Sequence, residues 1–425
     1  MASVTFFTCR IWLVVGVWWV LKGEAFSVRR ILPVVGLVIS FVFGFIVAPI
    51  PTLLFALSGA LGLFFPQPLR STYWIATLAK YGLSLLIQLV AVYYWNSQII
   101  PINVDQHWYL NNINSICHQL QSGVFGVNYR EIVGIHNRLY DIIGGWLTFL
   151  NGGDAVGVMK NFNIFVANGI VLFGYLITRE IYPREYRLQR MVVLVLAMMP
   201  SINLYSMLVL RDVLLALCCS VFFFTLLKKK VIGTILVIGL TYYLRLQFAY
   251  IMIMIVLLDV FLERNPSLSR SRVIGLCLAA IAVSYAMTMI IPGIGYLRQF
   301  LRLETIWKFT LSFVPSLLSS DFLFLPSGHE LSVRELLFFK ALTPEVFFLP
   351  LFALSSLIKG LRGRESNAKL VRLMILVFVF VSVFAFGYHI EYGAVFTRFY
   401  LTTYPVLVVI AVGRWRRLSG GKVVT

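Results

Sequence analysis

The chain has 425 residues, of which 60% are hydrophobic and only 12% charged, and its mean hydropathy is +0.88. Soluble domains carry about 25% charged residues, so a soluble globular protein is excluded. The 36 Lys and Arg against 17 Asp and Glu leave a net charge of +19. Scattered between long apolar runs, that excess has the pattern that orients membrane helices rather than the clustered basic face of a nucleic-acid binder, and no nucleic-acid partner is expected.

A helix crossing about 30 Å of hydrocarbon needs about 20 apolar residues, fewer when terminal charges snorkel outward. Residues 3–21 are apolar apart from Arg10. With no small-residue cleavage site after them, they read as a retained helix rather than a signal peptide, spanning or interfacial. No residue between Arg30 and Arg70 is charged, and Pro49 and Pro51 interrupt this run, which predicts two helices joined by a tight turn. Further spans are expected at 73–94, 163–178, 191–207, 212–227, 231–244, 247–263, 273–292, 346–358, 371–388 and 399–413. The fold class is therefore all-α, a polytopic bundle of about 12 to 13 transmembrane helices. It divides into N-terminal helices (1–94), a first outer loop (95–160), central helices (161–292), a second outer loop (293–345) and C-terminal helices with a basic tail (346–425).

The connecting segments alternate in charge. One set, from Lys22 through the Lys228-Lys229-Lys230 run to Lys422, holds twenty-three cations against six acids, a net +17. By the positive-inside rule this side, with the C-terminus, is cytoplasmic. The other side sums to zero and carries all five histidines, His107, His118, His136, His329 and His389, together with the two longest loops. Loops of that length are usually functional or disordered, so the chemistry is expected there. Four of the five cysteines lie in apolar segments and only Cys117 is in an outer loop, so no disulfide across the outer loops is expected.

Along the first outer loop, Asp105-Gln106-His107-Trp108-Tyr109 follows the aromatic belt Tyr93-Tyr94-Trp95. An acid just above a membrane surface can take a proton from a hydroxyl nucleophile, and Asp105 is the leading candidate for a base. The same position suits a helix N-cap, and the two roles are compatible. Farther on, helical spacing puts His136, Tyr140 and Gly144 on one face and Arg138 and Asp141 on another, an amphipathic helix lying on the membrane that either roofs a cleft or packs over the bundle. Three arginines stand at outer ends of apolar spans: Arg211 beside Asp212, Arg245 in Tyr243-Leu244-Arg245-Leu246-Gln247, and Arg398 in Thr397-Arg398-Phe399. A guanidinium keeps its charge when desolvated and grips phosphate oxygens in a bidentate fork. Three around one cleft would suit a phosphate or pyrophosphate leaving group, whereas singly each could be a snorkelling anchor. Asp105 and His107 could share a divalent cation, but the sequence has no second spaced pair of ligands and no metal is assigned. Nucleotide-binding glycine motifs and a serine nucleophile elbow are absent from the sequence, so an activated substrate must supply the energy.

Asp105 to Tyr109, the segment Pro200-Ser201 through Ser206 to Arg211-Asp212, and Tyr243 to Gln247 together resemble the multi-span GT-C-type glycosyltransferases, whose sugar donor is carried on a polyprenyl phosphate. The likeness covers roughly residues 90–260, and three spans precede the Asp105 loop where that family usually has one. The second outer loop also resembles those of Wzy-type O-antigen polymerases. The resemblance implies an inverting glycosyltransferase in the inner membrane that builds a cell-surface polysaccharide from a polyprenyl-linked sugar and a glycan or lipid-linked glycan acceptor. Asp105 would be its base, Arg211, Arg245 and Arg398 would bind phosphate, and His107, Tyr109, His136, Asp212, His389 and Glu391 would line the sugar site. A transporter or flippase of lipid-linked sugars is the competing class; Lys80, inside a span, favours it unless that lysine snorkels or pairs with a neighbouring helix. In intact cells His107→Cys should react with an impermeant maleimide added outside, and Lys229→Cys only after permeabilisation; the reverse pattern would invert the topology.

Overall fold

The structure, a computed structural model, describes residues 42, 44–100, 105–125, 129, 138–264, 275, 355, 367–392 and 401–418; for 138, 382–392 and 414–418 only the backbone is described. Among these residues every regular element is a helix. The expected N-terminal helix, the expected spans at 273–292 and 346–358, and the second outer loop lie outside the described residues except for single positions.

Pro49 and Pro51 begin helix α1 (Pro49–Ala60), as the tight turn between two apolar helices requires, because proline fits a first helical turn and breaks an interior. A 3₁₀ turn (Leu61–Phe64) leads to α2 (Gln67–Trp95), which has Pro68 in its first turn and ends at Asn96 in the left-handed region. The first outer loop is itself helical: α3 (Asp105–Gln121) and α4 (Arg138–Leu150) precede α5 (Ala155–Ile181). Asp154 caps α5, its carboxylate accepting from the Gly157 N–H at 3.0 Å, so this helix starts eight residues before the expected 163. Then come α6 (Tyr186–Met198), α7 (Pro200–Ser206), α8 (Asp212–Leu227), α9 (Val231–Leu244), α10 (Leu246–Arg264), α11 (Ala368–Tyr392) and α12 (Tyr404–Leu418).

By length and composition α2, α5 and α10 can each cross a membrane, and α6 with α7 makes a fourth if the bent pair is one span. The expected span at 191–207 is thus broken: α7 leaves the α6 axis by 44°. Pro200 explains the break, because the residue before a proline is driven out of helical geometry, and Met199 is extended (φ −60°, ψ 116°). α8 and α9 match the expected 212–227 and 231–244 but, like α1, are short apolar helices.

α5 is the central post, in contact with α1, α3, α4, α6, α7, α8 and α12. Its buried side chains include Asn161, Asn163 and Asn168 among aliphatic residues. α4 lies on α3 at close range: a Cβ on Gly144 would stand 2.7 Å from Ile113, and one on Gly145 2.3 Å from Ile116. Only glycine allows that approach.

The two ends of α8 differ chemically. Beyond its C-terminus Lys228 and Lys369 pair with Glu180, Lys229 with Glu263, and Arg372 with Asp259 and Glu263. Arg211 and Asp212 stand at its other end, about 24 Å away along a sixteen-residue helix. Lys80 neither snorkels nor pairs: it is 0% exposed, and its ammonium has no hydrogen-bond partner. Gly145→Val should pry α3 from α4 and lower the melting temperature in detergent by several degrees, about 2 kcal/mol of overpacking; an unchanged transition would mean that the close contact is not needed.

Candidate functional site

Between α7 and α8 the backbone leaves helical geometry over 207–211 while remaining buried. In an apolar bundle each unpaired peptide group there is costly, and side chains from two helices supply the partners. The Asn163 amide of α5 donates to the carbonyls of Leu208 (2.7 Å) and Leu210 (3.3 Å), and the Val209 N–H donates to Gln106 Oε1 of α3 (3.1 Å). Gln106 also donates to the carbonyl of Ile100 (2.7 Å). Asn163 Nδ2 lies 3.1 Å from the Tyr140 hydroxyl, so α4 joins the same knot.

This knot sets Arg211 at the start of α8. The guanidinium Nη1 donates to the carbonyl of Leu244 at 3.0 Å, capping the end of α9, and its carbon lies 5.8 Å from the centroid of the Tyr109 ring. Arg245 follows Leu244 directly in extended backbone between α9 and α10, its guanidinium 5.8 Å from the Phe248 ring. Both arginines are 8% exposed, and Asp212 is buried in the first turn of α8, where the helix dipole favours an acid. Arg211 and Asp212, although adjacent in the chain, form no ion pair with each other.

The most perturbed acid of the site is Asp141 in the first turn of α4. It is 0% exposed; Oδ2 accepts from the Asn112 amide of α3 at 3.1 Å, and Oδ1 has no hydrogen-bond partner. Burial pushes its carboxyl up to about 7, against the opposing pull of the Asn112 hydrogen bond and of Arg211. Burial likewise pushes the Tyr109 hydroxyl up to about 12; Arg211 and Arg245 draw it down while Asp212 and Asp141 raise it. Tyr109 therefore stays a neutral donor at physiological pH, its ring packed edge-on to Tyr140 at 5.4 Å.

Of the residues singled out from the sequence, Tyr109, Arg211, Asp212 and Arg245 come together. Asp105 is the first residue of α3, half-buried and one turn before Tyr109. His107 is exposed, turned away from the face that carries Tyr109. His136 and Arg398 lie outside the described residues, and for His389 and Glu391 only their place in α11 is described. Asp141 was seen in the sequence only as a polar-face residue of an amphipathic helix; Gln106, Asn112 and Asn163 were not singled out. A carboxylate in the first turn of the apolar segment Leu139–Leu150 was the available signal. Among the described residues no group of three or more His, Cys, Asp or Glu side chains is arranged to hold a metal.

Comparison with protein-family models, with curated proteins and with solved structures found no match to this chain. Asn163→Leu, which keeps volume and deletes the amide, should destabilise the protein by about 2 kcal/mol in a mixed-micelle unfolding titration; a variant as stable as the wild type would show that the buried turn finds other partners.

Proposed function

We propose that the chain is a polytopic membrane glycosyltransferase of about twelve spans, with its site at the Arg211 end of α8, facing away from the cytoplasm, and with a polyprenyl-linked sugar as donor. One observation carries this reading: two buried guanidiniums, Arg211 and Arg245, stand at one corner with Tyr109, Asp212 and Asp141, and among the described residues Arg211 is in salt-bridge contact with no carboxylate. A buried, unpaired cation at the end of apolar helices is costly unless an anionic ligand compensates it. A lipid phosphate meets that need and keeps its tail in the bilayer. Beyond the opposite end of α8 the described cations outside the ion pairs, such as Arg184, Arg187, Arg190 and Lys230, are exposed, so water solvates them and no ligand is needed.

In this mechanism the acceptor hydroxyl gives its proton to Asp105 as its oxygen bonds the anomeric carbon. The bond from that carbon to the phosphate oxygen breaks, and polyprenyl phosphate leaves with the electron pair. Direct displacement inverts the anomeric centre. Arg211 and Arg245, with Arg398 as the third cation suggested by the sequence, offset the charge growing on the departing phosphate. Tyr109 donates to a sugar or phosphate oxygen. In cells the product would be a surface polysaccharide, and its length would separate a single-sugar transferase from a polymerase.

Lys80 favours a second reading, a transporter of lipid-linked sugars, because an unpaired ionisable group inside a span beside the broken α6–α7 pair is what a translocation path needs. Purified protein in detergent, supplied with radiolabelled lipid-linked sugar and an acceptor glycan, separates the two. We expect transfer by the wild type, a loss of about 100-fold in Arg211→Gln, and none in Asp105→Asn at normal expression. Near-normal product from Asp105→Asn would remove Asp105 as base, and sugar uptake into proteoliposomes without any transfer in detergent would establish the transporter instead.

A further inference from the structure

We propose that Asp141 is the proton-linked control of the anion site: the site binds its phosphate ligand tightly when Asp141 is protonated and weakly when it is ionised, so that binding takes up a proton. This deepens the phosphate-site reading above and rests on it.

The geometry supplies the linkage. Asp141 is fully buried in α4, a helix that packs on α3, α5, α9 and α1. Among the described side chains, the ionisable groups of this corner are Tyr109 from α3, Tyr140 from its own helix, and Arg211 and Asp212 at the start of α8. α5 contributes Asn163, which is neutral; its Lys160 is turned to Gln88 and the Gln98 carbonyl. From α9 comes Arg245 at its end, and α1 has no ionisable side chain. Counting Arg211, Arg245, Asp212 and Asp141, the charged side chains described at this corner, the sum is zero when Asp141 is ionised and one positive charge when it is protonated. The two tyrosines stay neutral in both cases, since burial raises both hydroxyls. A monoanionic ligand thus meets a repelling carboxylate in one state and a neutral carboxyl, able to donate from Oδ1, in the other.

The sign follows from linkage. A carboxyl that titrates near 7 is protonated below that pH, so affinity falls as pH rises through it, and the bound anion in turn raises the carboxyl's own value. The Asn112 hydrogen bond favours the ionised form, so removing it should move the transition to higher pH.

The test uses the full chain in nanodiscs and farnesyl phosphoryl glucose, a phosphodiester whose single charge does not change near neutrality. Binding should weaken about tenfold between about pH 6 and about pH 8 in the wild type, within the usual range of coupling between sites. Calorimetry in buffers of different ionisation enthalpy should show proton uptake near pH 7. Asp141→Asn should bind with the tighter affinity at both pH values and take up no proton, and Asn112→Leu should shift the transition upward. If Asp141→Asn keeps the wild-type pH slope, or Asn112→Leu shifts it downward, the control is not Asp141, although the anion site stands. Wild-type protein that binds no diester at any pH, or binds it equally well after Arg211→Gln, overturns the anion site and this inference with it.

Discussion

A peptide chain that unwinds inside an apolar bundle must find partners for its N–H and C=O groups within the protein. Residues 207–211 meet that constraint with two amides, Asn163 and Gln106, drawn from helices forty or more residues away in sequence. The rest of the corner depends on it. Because Asn163 also holds the Tyr140 hydroxyl, α4 is placed over the same turn, and Asp141, the next residue, is buried facing Asn112 and Arg211. Because the turn ends at Arg211, α8 starts where the guanidinium can cap α9. One set of backbone hydrogen bonds thereby positions three ionisable side chains from two distant stretches of chain.

The packing of α3 on α4 serves the same end. Gly144 and Gly145 bring the two helices closer than any side chain would allow, with Ile113 and Ile116 filling the space a Cβ would take. That approach shields Asp141 from water on the Asn112 side. Desolvation is in turn the largest cause of its raised carboxyl value, so a backbone property of two glycines bears on the chemistry of an acid three residues earlier in the chain. Lys80 is outside this network. It sits in α2 with Ser84 one turn on, both lacking hydrogen-bond partners, and it is the polar group least accounted for by the proposed transferase.

Much of the helical layout was legible in the sequence because it follows from local chemistry. The prolines at 49 and 51, the polar interruption at Lys228 to Lys230 and the end of the apolar run at Leu244 mark helix boundaries that the structure shares. The 191–207 run was less transparent: hydropathy sees one continuous apolar segment, whereas Pro200 splits it into two helices at an angle. α5 began earlier than its apolar core because Asp154 caps it, and its first turns carry Lys160 and Asn161, which hydropathy counts against a span. In the candidate site Tyr109, Arg211, Asp212 and Arg245 were visible as charged or aromatic residues beside apolar runs. Asp141 was visible only as one polar position among several on an amphipathic face, and His107, two residues before the buried Tyr109 of α3, proved to be exposed.

Composition and the spacing of charge by themselves determined a helical fold with helices suited to a membrane, and set most of the charge of the described residues at or beyond helix ends. Those properties depend on each residue's own transfer free energy, summed over about twenty neighbours in the chain. The tertiary structure alone decided which charges are buried, which are paired and which acid carries a displaced proton affinity. Desolvation and pairing are set by atoms from other helices, and here the deciding partners, Asn112 for Asp141, Asn163 for the 207–211 turn and Leu244 for Arg211, lie about thirty to fifty residues from the groups they govern.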